Sequence, residues 1–84
     1  MKHIKTTPLT LESNEIAQNV SRDTLFTVQN LSNATLNFQI SNDQTTWFTL
    51  GTVAAQAFQT FQHAAKYIKT SQNCVIIRTR NTQL

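Results

Sequence analysis

The residues of this chain best equipped to do chemistry are few and far apart. Its carboxylates are Glu12, Glu15, Asp23 and Asp43, its imidazoles are His3 and His63, and its one thiol is Cys74. Acid–base or nucleophilic catalysis needs two or three such groups within hydrogen-bond reach of one reacting atom. His3 stands near the start of the sequence and His63 between Gln62 and Ala64 in a turn-like segment, so both read as solvated. Glu12 and Glu15 are three apart, which would pair them on a helix, but their neighbours lack helical periodicity. One cysteine and two separated histidines do not make up a zinc site. A phosphate-binding loop needs several glycines, and Gly51 is the only one. The expectation is a protein without catalytic residues, metal or cofactor.

Binding chemistry has more material. Trp47, Phe48 and Tyr67 could form a platform for a sugar ring or a base, with Asn42, Asp43 and Gln44 as polar partners at a loop tip. Against this, an aromatic just after a hairpin loop usually anchors the core, and Trp47 is expected there with Phe38, Ile40 and Val75. Alternation along a strand then sends Trp47 and Phe48 to opposite faces, so one ring needs a cover, and another protein is the natural one. Phe48, Tyr67, Arg78 and Arg80 are the first candidates for that contact. Lys66, Lys69, Arg78 and Arg80 beside Tyr67 offer a third reading, a barrel that binds single-stranded nucleic acid. The cations producing the net charge of +3 are otherwise scattered, whereas a nucleic-acid footprint concentrates them on one face.

Period-two alternation supplies the elements that would position these residues. Residues 24–31 read TLFTVQNL, with Phe26 and Val28 on one face and Thr27 and Gln29 on the other, and residues 34–41 repeat the pattern with Leu36, Phe38 and Ile40 inward. The turn residues of NLSNAT between them predict a hairpin. A polar loop at 42–46 leads to a third strand at 47–50, and Gly51 marks a bend or bulge where a side chain would not fit. Residues 54–61 are compatible with a short helix, but their β-branched and aromatic neighbours favour a strand. Residues 66–70, the turn SQN and residues 74–80 predict a second hairpin. Its last strand is apolar on both faces at its start, as a central strand is. Part of the region before Arg22 reads as an edge strand, and residues 1–10 as a flexible arm or one that a partner orders.

The sum is an all-β chain, a small antiparallel β-sandwich or partly open barrel in one domain spanning 1–84. Eighty-four residues bury little more than ~60% of their unfolded surface, so partners would add to stability. Charged residues are 13% of the chain against ~25% in typical soluble domains, and a neutral surface weakly repels copies of itself. Cys74, before Val75-Ile76-Ile77, reads as a buried small hydrophobe. The sequons at Asn19, Asn30 and Asn33 read as incidental in a chain rich in Asn, Ser and Thr. No apolar run approaches the ~20 residues of a membrane span, and MKHIKTTPLT lacks the apolar core of a signal peptide. Synthesis in a cytoplasm is the expectation.

The run LNFQISNDQTTWFTL, followed by KYIKT and NCVIIRTR, resembles a pattern in small β-sandwich modules, over about half the chain. In that pattern a strand ends in Ser-x-Asp, a polar turn leads to Trp, and a later Tyr-Ile-Lys/Arg strand pairs back. Here Ser41, Asp43 and Trp47 carry the turn and Tyr67, Ile68 and Lys69 the later strand. Discoidin-like domains show it, as do short accessory proteins of tailed-phage virions. Gln44 stands where glycine is usual, and the chain is shorter than a discoidin domain. The resemblance to the virion group implies a non-enzymatic, multi-copy component of the particle, a capsid decoration, head-fibre or tail accessory protein. Such a protein would pack against itself and a larger capsid or tail protein. The alternatives are a carbohydrate-binding module using the 42–47 loop and, third, the nucleic-acid barrel.

Overall fold

The computed structural model describes the backbone of residues 2–19 and 24–83 and the side chains of 8–19 and 24–79. The chain forms β1 (Lys2–Leu11), β2 (Ala17–Gln18), β3 (Leu25–Asn30), β4 (Leu36–Ser41), β5 (Phe48–Val53), β6 (Phe58–Gln62), β7 (Tyr67–Thr70) and β8 (Cys74–Gln83). They make two four-stranded antiparallel sheets, ordered β1-β8-β3-β6 and β2-β7-β4-β5. All-β architecture and a sandwich are as expected, and β8 is an inner strand. Only β4 and β5 are neighbours both in sequence and in a sheet; every other described connection crosses between sheets. This strand order is that of a jelly roll, two interleaved Greek keys closed face to face.

Two hairpin expectations are overturned by that connectivity. β3 and β4 lie in different sheets, as do β7 and β8. The inward alternation itself holds, since Phe26, Val28, Leu36, Phe38 and Ile40 are all buried. However, inward-facing residues look the same whether two strands lie side by side or face each other across an interior. What commits the β3–β4 link to a crossing is Asn30. Its side chain is buried and donates from Nδ2 to the carbonyls of Ala34, Val53 and Ala54 at 2.7, 3.1 and 3.2 Å. Its Oδ1 accepts from the Ser32 amide and hydroxyl at 2.9 and 2.8 Å.

The interior is a layer of aliphatic side chains around three rings. Phe26 and Phe38 meet at 5.6 Å, tilted by 49°, and Phe38 stacks on Phe61 at 4.9 Å. The Phe61 ring explains Gly51, because a Cβ there would come within 2.6 Å of Phe61 Cε1. Opposite Gly51 the β4–β5 register slips between Phe38 and Gln39, leaving Leu50 as the extra residue of a β-bulge. The predicted bulge is therefore present, and its cause lies in β6.

The short helix considered for 54–61 is absent. The segment turns at Ala54–Ala57, closed by the Ala57 amide on the Ala54 carbonyl at 3.1 Å, and becomes β6. Gln56 takes a left-handed φ of 59°, which ends any helix, while its side-chain amide bonds the carbonyls of Leu31 and Ser32.

Candidate functional site

Among the described residues the acidic and nucleophilic groups are not convergent. Glu12 and Glu15 lie in the turn after β1, where Glu15 Oε1 accepts from the Glu12 amide at 3.0 Å. The carboxylate thus ties its own turn instead of pairing with the other acid. Asp23 and the side chain of His3 lie outside the described residues. Cys74 is buried, with Sγ 3.3 Å from Thr70 Oγ1, and burial pushes its thiol pKa up, so the nucleophilic thiolate is disfavoured. Among the described residues no three of His, Cys, Asp and Glu are grouped as metal ligands.

The 42–46 loop bonds largely to itself. Asp43 Oδ1 accepts from the amides of Thr45 and Thr46 at 2.9 and 2.8 Å and from the Ser41 hydroxyl at 3.0 Å. Ser41 Oγ in turn accepts from the amides of Asp43 and Gln44 at 3.2 and 2.9 Å. The amides of Thr46 and Thr45 hold the Asp43 pKa below the ordinary 3.8. Gln44 has φ 65°, the conformation that glycine adopts at no cost, so the residue departing from the resembled pattern bears the strain of the turn. Asn42 and Gln44 are exposed.

Trp47 is not in the core. It is half-buried just before β5, and the Lys69 ammonium sits 4.4 Å from its ring centroid. Lys69 and Tyr67 alternate with the buried Ile68 and Thr70, which puts both on the outer face of the β2-β7-β4-β5 sheet. Trp47 therefore joins them there as a half-covered cation–π partner. The reason is local. Because β5 starts at Phe48, opposite Ile40, the inward position falls to Phe48 and Trp47 turns to the other side. Phe48 is 60% exposed at the open mouth between the sheets. There it lines a cleft of ≈ 330 Å³ with Ile40, Ser41, Asn42, Leu50, His63 and Ala64. His63 Nδ1 lies 2.7 Å from its neighbour's carbonyl, Ala64 O. Bringing His63 beside Asn42 and Phe48 is a consequence of the crossing β5–β6 connection, which local sequence pattern does not report.

The other expected members separate. Val75 is half-buried on the outside of its sheet, while Cys74, Ile76 and Arg78 face inward. Arg78, 9% exposed, therefore cannot share a face with Lys69 and Tyr67. The Arg80 side chain lies outside the described residues. A single strip of Lys66, Lys69, Arg78 and Tyr67 for nucleic acid is not assembled.

A feature that no motif announced is the outer face of the β1-β8-β3-β6 sheet. The outward side chains of its inner strands are Val75, Ile77 and Thr79 on β8 and Leu25, Thr27 and Gln29 on β3. Those of its edges are Pro8 and Thr10 on β1 and Phe58, Thr60 and Gln62 on β6. None of these is charged. The described part of the face is a four-stranded surface of threonine, glutamine and apolar side chains, with Thr27 and Thr60 joined by a 3.1 Å hydroxyl contact. The signal was available as alternation on both sides of the inner strands, but only the sheet order assembles it into one surface.

No protein-family model matches this chain, and neither a curated protein nor a solved structure matches it.

Proposed function

We propose that this protein is a non-enzymatic structural subunit that acts through its surfaces and is present in many copies in a virion. In that role, as a capsid decoration, head-fibre or tail accessory protein, it would pack against itself and against a larger capsid or tail protein. The observation that carries the reading is that the described outward side chains of the β1-β8-β3-β6 sheet, from Pro8 and Thr10 across β8 and β3 to Phe58, Thr60 and Gln62, carry no charge. Exposed faces of soluble proteins are ordinarily laced with charge, and depletion of charge is the compositional mark of an interface centre. The jelly-roll connectivity supports the reading by analogy, since capsid domains use it, although the same connectivity serves lectins and other unrelated proteins. Quantitative mass spectrometry of purified particles tests it. A fixed copy ratio to the major capsid or tail protein is expected, and absence from the particles would contradict the assignment.

One observation favours a second reading, carbohydrate binding: Trp47, Tyr67 and Lys69 share one face beside the 42–46 loop. Sugar binding that Trp47→Ala abolishes in a still-folded protein would replace the structural reading with this one.

A further inference from the structure

A β-sandwich has four sheet edges, and each exposes backbone groups that can pair with a foreign strand. Three of the four here carry a recognised safeguard. β1 includes Lys2, Lys5 and Pro8, β2 is only two residues long, and β5 is broken by the bulge at Leu50. The fourth, β6, has none. Its sequence FQTFQ holds no charge and no proline, and it pairs with β3 in unbroken register.

The hydrogen bonds at its two ends show which backbone groups are open. The Asn30 amide donates to the Ala57 carbonyl and the His63 amide to the Thr24 carbonyl, both at 2.9 Å. In an antiparallel ladder such pairs recur at every second residue. Ala57, Gln59, Phe61 and His63 therefore turn their backbone groups to β3, whereas Phe58, Thr60 and Gln62 turn theirs to the open edge. The side chains of those same three residues stand on the outer face of the sheet, in its charge-free described part. Among them Phe58 is 67% exposed, the most of any described large apolar residue.

The geometry points to a second copy of this chain as the occupant of that edge, pairing β6 with β6 antiparallel about a two-fold axis at Thr60. In this register Thr60 faces Thr60 of the second copy and Phe58 faces its Gln62. The amides and carbonyls of all three residues are then satisfied, and the Thr27–Thr60 contact continues into a ladder of four threonines across the joined face. The two sheets become one. Three features favour self-pairing over capture of an unrelated strand. The edge is self-complementary about its central residue, the Phe58 ring gains the aliphatic part of a glutamine, and two chains of net charge +3 meet where neither presents charge. The inference rests on the structural-subunit reading and names its self-contact.

Sedimentation equilibrium over a wide concentration range, on wild type, Thr60→Lys and Thr60→Pro, tests it. Lysine would oppose lysine at the axis, and proline would remove an outward amide that β3 does not use. The wild type is expected to approach twice the 9.5 kDa chain mass, and both variants to fall to a single chain mass with an unchanged β circular-dichroism spectrum. If either variant folds poorly, Gln62→Lys, beside Phe58 of the second copy, gives the same readout. A wild type that stays monomeric, or takes up a peptide strand only from another protein, overturns the inference, as does a dimer that survives Thr60→Lys. A monomer found at fixed ratio in particles would overturn the self-pairing alone. A dimer absent from particles would overturn the subunit reading alone.

Discussion

β5 and β6 follow one another in sequence, belong to the charge-free stretch 44–65, and form the edges of opposite sheets on the same side of the sandwich. They differ in regularity. β5 gives up a continuous ladder at Leu50 because Gly51 must make room for Phe61, a β6 side chain that stacks on Phe38. β6 contributes that ring and remains straight. Packing of one interior ring thus spoils the β5 edge for pairing and leaves the β6 edge usable. Composition alone would have treated the two edges as equivalent.

The joint between them is the place to break the comparison most severely. Asn30 bonds the carbonyls of Val53 and Ala54 through its side chain and that of Ala57 through its amide, so it fixes the end of β5 and the entry to β6 together. Asn30→Ala would strand the buried Val53 carbonyl and the part-buried carbonyls of Ala34 and Ala54, and open a small void. A loss of about 2–4 kcal/mol in urea unfolding is expected, with early amide exchange in both edge strands.

Gly51→Ala sharpens the contrast with a smaller effect. The added methyl meets the Phe61 ring, and a loss of about 1–3 kcal/mol is expected from overpacking. Combining it with Phe61→Leu should cost less than the two single changes added together, since removing the ring relieves the clash. Strict additivity would show that the bulge has another cause.

The smallest effect concerns the 42–46 loop, which shapes only the β5 side. The folded Asp43 pKa lies below its unfolded value, so its contribution is present above the unfolded pKa and fades as pH falls through the folded one. The difference in thermal midpoint between wild type and Asp43→Asn should therefore be small at pH 6 and shrink further below about pH 3.8. Because the carboxylate is exposed, solvent screening keeps the effect slight.

Local rules could reach part of this organisation. The inward set Phe26, Val28, Leu36, Phe38 and Ile40 follows from alternation, the buried Cys74 from its apolar neighbours, and the special role of Gly51 from its being the only glycine. The pairing of β3 with β6 and β8 did not follow, because alternation reports which side chains face inward and not which strand lies alongside. Trp47 was misplaced by one step of the same alternation: the strand begins one residue later than its aromatic pair implied. Asn30 looked like an incidental sequon because its five side-chain bonds go to segments up to 24 residues away. The charge-free described face and the open β6 edge needed the sheet order, which long-range contacts alone determine.

The central claim is that the β6 edge serves as a contact while the β5 edge does not, and residue-resolved amide exchange as a function of protein concentration tests it most directly. The amides of Gln59 and Phe61, bonded to β3, should be protected at every concentration. Those of Phe58, Thr60 and Gln62 should gain protection together as concentration rises, with no parallel gain along β5. Exchange at Phe58, Thr60 and Gln62 that stays fast at all concentrations would contradict the account.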